Sequence, residues 1–369
     1  MKNSLSLPVF SNEEVNAKRQ FEYDVAKAFA IVFMILVHTV DQITAGEGAL
    51  YCAIEFFGCA PSACVFMMSM GLGIVFTRHR SPRDFLLRGA KLLIAAYLLN
   101  FFRETLLLIL GNALNVENDY QGVSLYASLM AVDILHFAGL SFLFVALCER
   151  LKLKNWAVLL IAIAFSGISN LCLGAFGGLS EYAQYPLGLL FYANSETCFP
   201  FFAWFIYPAI GMCLGSLLRH VSDKNRFYAC IFALGASSLF LVSSGCAALN
   251  IDIAGLFMTT KYYMQDLVTL MWCLSLVFTL LPLYYWLSLV VRGKAKDGVE
   301  YLSANVNLIY IVQWLVICYF IAVLEIFDVG TFPTWAGAGI GVLIMAACLL
   351  ISIGVNKIKQ NVKKAKSHE

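Results

Sequence analysis

Ten apolar runs dominate the chain, at 25–43, 50–76, 86–110, 125–149, 155–175, 198–217, 227–247, 265–291, 299–326 and 334–355. A helix needs about 20 apolar residues to cross the ~30 Å hydrocarbon core of a bilayer, and each run is close to that length. The pattern predicts an all-α, polytopic integral membrane bundle of about ten transmembrane helices. The connections 111–124, 176–197 and 248–264 are longer than the rest and rich in Tyr and small residues. One stretch, "EYAQYPLGLLFYANSETCF", is apolar enough to lie on or dip into the membrane interface. It reads either as an aromatic belt or as a lid over an acceptor.

Composition agrees with this pattern. Of 369 residues, 61% are hydrophobic and 13% charged, which excludes a soluble domain of this size. The distribution of charge says more than the net value. Arg78, Arg80 and Arg83 fill one gap between runs, and Arg150, Lys152 and Lys154 the next but one. Arg219, Lys224 and Arg226 follow, then Arg292, Lys294 and Lys296, then the tail from Lys357 to Lys366. The intervening gaps hold almost no cations, Lys261 and Arg103 excepted. By the positive-inside rule, both termini face the cytoplasm and the chain is a multi-pass protein of the plasma (inner) membrane. About twenty polar residues precede the first run, and that run carries charges, so no cleavable signal is expected. The expected organisation is a cytoplasmic segment 1–22, one transmembrane unit 23–356 and a basic cytoplasmic tail 357–369. Twelve scattered cysteines without a C-x-x-C read as small packing residues. Neither a metal site nor a disulfide framework is expected, although Cys172 and Cys198 lie near outer helix ends where they would be able to pair. The expected surroundings are a lipid bilayer and no nucleic acid; association with a second copy stays open.

The first run, "YDVAKAFAIVFMILVHTVDQI", carries Asp24, Lys27, His38 and Asp41. An ionisable group at the bilayer centre costs about 2.5–3.5 kcal/mol on insertion scales, so such groups face a protein interior or a cavity. Residues eleven apart on a helix are within about 20° of eclipsed, so Lys27 and His38 share a stripe roughly 16 Å long. Asp24 and Asp41 extend it by one turn at each end. Each member also has a plain alternative. Lys27 would snorkel, Asp24 would cap the helix, Asp41 would be solvated and His38 would be a hydrogen-bonded structural histidine. Asp133 and His136, one turn apart in the fourth run, form either a second functional pair or a polar lock between helices. Arg103 and Glu104 read as an ion pair, with Asn100 nearby as a candidate donor to an oxyanion.

The spacing Lys27-x10-His38 on a first membrane helix, with Asp24 fourteen residues before the histidine, resembles the transmembrane acyltransferase superfamily. That group includes the acyltransferase family 3 O-acetyltransferases and heparan-α-glucosaminide N-acetyltransferase-like proteins. Further along, "FFGCAPSACVFMMSMGLGI", "LLRGAKLLIAAYLLNFFR", "VDILHFAGLSFLF", "FPFFAWFIYPAIGMCLG" and "SANVNLIYIVQWLVI" resemble successive helices of the family. Two positions depart from it. Residues 43–55 hold no histidine, where the glucosaminide enzyme has its catalytic one, and Gln313 stands where many relatives have His.

The resemblance implies transfer of an acyl group, usually acetyl, from cytoplasmic acyl-CoA (acetyl-CoA or another) to a hydroxyl or amine at the outer face. The acceptor would be a glycan, a lipid or a small molecule. On this basis Lys27, Asp24, Arg88 and Lys91 are candidates for holding CoA, Arg88 and Lys91 being one turn apart. His38 is the candidate base or acyl carrier, with Asp41 orienting it and Asn100 as oxyanion donor. Asp133, His136 and Gln313 are candidate substrate-binding residues. The competing function is a transporter, or a catalytically silent relative, passing an amphipathic solute. Pro61, Pro200, Pro208 and Pro282 allow kinked helices, but no inverted repeat is visible.

Overall fold

The computed structural model describes residues 9–114, 123–259 and 261–366. Parts of the expected segment 1–22, of the connections 111–124 and 248–264 and of the tail 357–369 lie outside the described residues. The described chain is helical throughout. Its main elements are α1 (Phe21–Ile43), α2 (Gly48–Phe76), α3 (Pro82–Leu114), α4 (Leu125–Met130), α5 (Ile134–Arg150), α6 (Asn155–Leu171) and α7 (Glu181–Gly188). They continue with α8 (Phe201–Arg219), α9 (Lys224–Ala248), α10 (Leu267–Val290), α11 (Gly293–Ala304), α12 (Val306–Ile326) and α13 (Thr334–Lys366).

Eight of these, α1, α2, α3, α8, α9, α10, α12 and α13, are long and apolar enough to cross a membrane. The two remaining expected spans are shorter. Helices α5 and α6 have 17 residues each, about 25 Å of helix. The run 125–149 is not one helix, because the chain breaks at 131–133 between α4 and α5. The run 299–326 is likewise divided at Asn305, between α11 and α12.

These breaks are stable because their backbone groups find partners, as they must where water is scarce. At 131–133, Asn100 donates through Nδ2 to the carbonyls of Leu129 (2.9 Å) and Ala131 (2.7 Å). The Cys198 amide donates to the Val132 carbonyl at 3.0 Å. Asp133 then restarts the helix as its N-cap, accepting from the Ile134 amide at 2.6 Å. Two long helices also carry a wide π-helical turn. In α2 it spans Ala60–Cys64, where Pro61 removes a backbone donor, and the Tyr262 hydroxyl donates to the Cys59 carbonyl at 2.9 Å. In α3 it spans Phe101–Thr105 and turns Arg103 inward, 5% exposed.

Helix α1 is the axis of the bundle, packed against α2, α10, α11, α12 and α13. Helix α13 begins beside its C-terminal end, where the Phe332 amide donates to the Ile43 carbonyl at 2.8 Å. It returns to the N-terminal end, so residues 9–20 and the end of α13 lie on one side. Helix α9 sits at the periphery, with Leu234, Phe240 and Leu241 exposed as lipid-facing side chains would be.

Helices α2 and α8 approach so closely that glycine is needed on both. A Cβ on Gly71 would lie 2.0 Å from the Pro208 carbonyl oxygen, and one on Gly211 would lie 2.1 Å from that of Met68. Gly211→Val is expected to push the helices apart and cost about 1–3 kcal/mol. Thermal unfolding of the purified protein would show a lowered midpoint, while Gly73→Val, where a Cβ meets nothing within 4 Å, leaves it near the parent value.

Candidate active site

The polar stripe of α1 lines two cavities in succession. At the N-terminal end lies a cavity of about 480 Å³ bounded by Arg19, Asp24, Lys27, Arg88, Ser303 and Asn307. Farther along α1 is a small chamber of about 70 Å³ bounded by His38, Asp41, Cys59, Ser62, Asp133 and Tyr310. Between them α1 contributes Ala30, Ile31 and Met34 to the chamber wall, continuing the same helical face. Phe66, just after the π turn of α2, lines both spaces.

In the larger cavity Asp24 does not cap its helix; the N-cap position is Gln20. The Asp24 carboxylate is 3% exposed and is gripped by Arg19 through Nε at 2.6 Å and Nη2 at 2.8 Å. It also accepts from the Ser303 hydroxyl at 2.6 Å. The same carboxylate holds the Arg19 guanidinium above its ordinary range, chiefly through that hydrogen bond. Lys27 lines the cavity, and among the described residues no carboxylate pairs with it. Arg88 reaches the cavity with its guanidinium over the Phe142 ring at 5.1 Å. Lys91 is exposed and is not part of the wall, so the pairing expected for Arg88 and Lys91 is not formed there.

In the chamber, His38 Nδ1 and Gln313 Nε2 are 3.0 Å apart. The imidazole stacks on Trp314, with centroids 4.4 Å apart and planes inclined by 28°. Trp314 in turn carries the Arg103 guanidinium over its ring at 4.8 Å. Arg103 pairs with Glu104 and with Asp133, each at 2.8 Å. Asp133 accepts as well from the Tyr310 hydroxyl at 2.5 Å. Tyr310, Gln313 and Trp314 fall at helical spacing on one face of α12, which is why one helix grips the whole cluster.

Several expected roles are altered by this arrangement. Asp41 does not orient His38; its Oδ1 accepts from the Tyr51 hydroxyl at 3.0 Å at the exposed rim of the chamber. Asn100 is not free to donate to an oxyanion, since its amide protons are taken by the break at 131–133. Asp133 and His136 stay hydrogen-bonded to each other as the cap of α5, but only Asp133 lines the chamber. His136 accepts at Nδ1 from the Asp133 amide at 3.2 Å and packs edge-on against Tyr97, outside the chamber wall. Cys172 and Cys198 are both free thiols.

Residues 19–251, well over half of the chain, match the family described as Heparan-alpha-glucosaminide N-acetyltransferase, catalytic. The chain belongs to that family. No curated protein and no solved structure matches it. Membership in the heparan-alpha-glucosaminide N-acetyltransferase family carries transferase chemistry of the membrane acetyltransferase type. The matched stretch holds Asp24, Lys27, His38, Arg103 and Asp133, while Ser303, Tyr310, Gln313 and Trp314 come from α11 and α12 beyond it. Trp314, Tyr310, Arg19 and Phe66 escaped the sequence reading. Tyr310 and Trp314 had a usable signal, their spacing around Gln313, whereas nothing local marks Arg19 or Phe66.

Removing Arg103 leaves Asp133 buried beside Tyr310 without its cation. Breaking such a pair costs about 3–5 kcal/mol, against about 1–3 kcal/mol for orphaning the carbonyls held by Asn100. Arg103→Met is therefore expected to lower the thermal midpoint more than Asn100→Ala, and Arg103→Met/Asp133→Leu to recover part of the loss.

Proposed function

We propose that the chain moves an acyl group, acetyl in the first instance, from acyl-CoA to a hydroxyl or amine acceptor. The observation that carries this is the succession of two cavities along one face of α1, cation-lined at one end and holding His38 at the other. Three cations, Arg19, Lys27 and Arg88, face the larger cavity against the single carboxylate of Asp24. With Asp24 already neutralised by Arg19, Lys27 and Arg88 are left for the phosphates of CoA. The pantetheine arm would then pass Phe66 and present its thioester in the chamber.

There the neutral His38 imidazole takes the proton of the acceptor as its oxygen or nitrogen attacks the thioester carbon. The carbon–sulfur bond breaks, and the imidazolium returns the proton to the departing CoA thiolate. General-base help of this kind is worth roughly 10²–10⁴-fold. Transfer through an acyl-His38 intermediate uses the same contacts in two steps.

A third cavity, about 540 Å³, adjoins the C-terminal end of α1 at Gln42 and is bounded by Glu104, Ser124, Glu181 and Glu196. Glu104 pairs with Arg103, which touches Asp133 in the chamber wall, so an acceptor entering there stands next to the reacting centre. Phe199, at the end of the apolar stretch 181–199, also lines the chamber and supports the lid role for that stretch. The basic connections support a cytoplasmic CoA cavity and cytoplasmic termini in the plasma (inner) membrane, and this reading counts α5 and α6 as the remaining two of ten passes.

Purified protein supplied with acetyl-CoA and a panel of amine and hydroxyl acceptors tests the proposal. His38→Ala is expected to lower kcat by at least about 100-fold with the thermal midpoint retained. Lys27→Ala is expected to raise the KM for acetyl-CoA about tenfold with kcat largely kept, as loss of uniform binding does. Full turnover by His38→Ala would sink the catalytic assignment and favour passage of a solute instead.

A further inference from the structure

His38 is held on two sides by consecutive residues of α12, its Nδ1 edge by Gln313 and its face by Trp314. Among the described residues its Nε2 has no hydrogen-bond partner, and the ring lines the chamber. Gln313 is fully buried, and among the described residues the only hydrogen bond of its side chain is the one to His38. Its Oε1 is likewise buried and, among the described residues, has no partner. Among the described residues, a half-turn of the amide about Cγ–Cδ therefore breaks no hydrogen bond to any other residue, and it exchanges two ends of nearly equal size.

The two amide orientations select opposite imidazole tautomers. When the amide N–H donates to Nδ1, the ring proton sits on Nε2, and the atom facing the chamber has no lone pair to offer. When Oε1 accepts from Nδ1–H, Nε2 carries the lone pair. We infer that Gln313 is a positioning residue that sets the tautomer of His38, its Oε1 accepting from Nδ1–H so that Nε2 serves as the base. This rests on the base role proposed for His38.

The proton balance closes without moving Gln313. Nε2 takes the acceptor's proton, the resulting imidazolium keeps Nδ1–H on Oε1, and Nε2 gives its proton to the CoA thiolate. The starting tautomer is restored at the end of each turnover. A buried amide suits the task because it fixes the orientation without adding a second charge beside Arg103 and Asp133. Trp314, stacked on the ring, keeps the imidazole plane from turning as the proton moves.

The test uses the full-length protein labelled with ¹⁵N-histidine. The His38 resonances are assigned by their loss in His38→Asn. The expected wild-type spectrum shows a protonated Nδ1 and an unprotonated Nε2. Gln313→Leu is expected to move His38 toward the Nε2–H form usual for a histidine side chain free in water. It should also lower kcat about 100-fold while leaving the KM for acetyl-CoA within about twofold. Gln313→Glu, whose carboxylate can only accept, is expected to restore the Nδ1–H signature and much of the lost kcat.

A wild-type His38 protonated at Nε2, or a tautomer that ignores both substitutions, overturns the inference even if Gln313→Leu folds poorly. If the tautomer follows Gln313 while His38→Ala keeps full turnover, it is the base role that fails. If His38→Ala is inactive and the tautomer ignores Gln313, the base role stands and the tautomer control falls.

Discussion

Arg103 and Asp133 meet at 2.8 Å inside a bundle that is otherwise largely apolar, and two of the helix irregularities near His38 are organised around that contact. A separated pair of ions at this depth would cost several kcal/mol, so the backbone bends to bring them together. The π turn at Phe101–Thr105 swings Arg103 inward, and the break at 131–133 leaves Asp133 as the N-cap of α5. Its carboxylate then collects donors from Arg103, Tyr310 and the Ile134 backbone. From this anchor the order passes on through Trp314, beneath the guanidinium, to the stacked imidazole of His38.

The same need to satisfy polar groups internally accounts for the other end of α1. Asp24 is buried only because Arg19 and Ser303 complete its hydrogen bonds, and Ser303 belongs to α11, some 280 residues away in sequence. Two residues earlier on α1, Glu22 is held by Lys224 at 2.6 Å and by the Tyr228 hydroxyl, tying α1 to α9. These contacts fix the rotation of α1 about its own axis. That rotation aims Lys27 at the larger cavity and His38 at the smaller one.

The match to the family stops at residue 251, yet the ring of His38 is gripped by residues 313 and 314. The front of the chain therefore supplies the stripe of α1 and the Arg103–Asp133 anchor. The rear supplies the groups that touch the edge and the face of the imidazole. On the proposed reading, the base lies in the matched part of the chain, and the residue beside its Nδ1, here an amide, lies outside it.

Much of this was legible in the sequence, because a bilayer imposes simple rules on it. Apolar length and the alternation of basic connections marked the helical bundle, and the cost of burying ions singled out the stripe Asp24, Lys27, His38 and Asp41 on one face of α1. Where that stripe leads was decided only by the fold. Asp41 turned to Tyr51 on the next helix, Asn100 to the carbonyls of a broken helix, and His136, still bonded to Asp133, to Tyr97, each in answer to neighbours that helical periodicity does not identify. Helical periodicity reports which residues share a face, since it depends only on the backbone repeat. It does not report which distant donor or acceptor meets that face, because packing between helices settles that. The sequence by itself determined the helices and the polar seam; the tertiary structure decided that Gln313 and Trp314, not Asp41, hold His38.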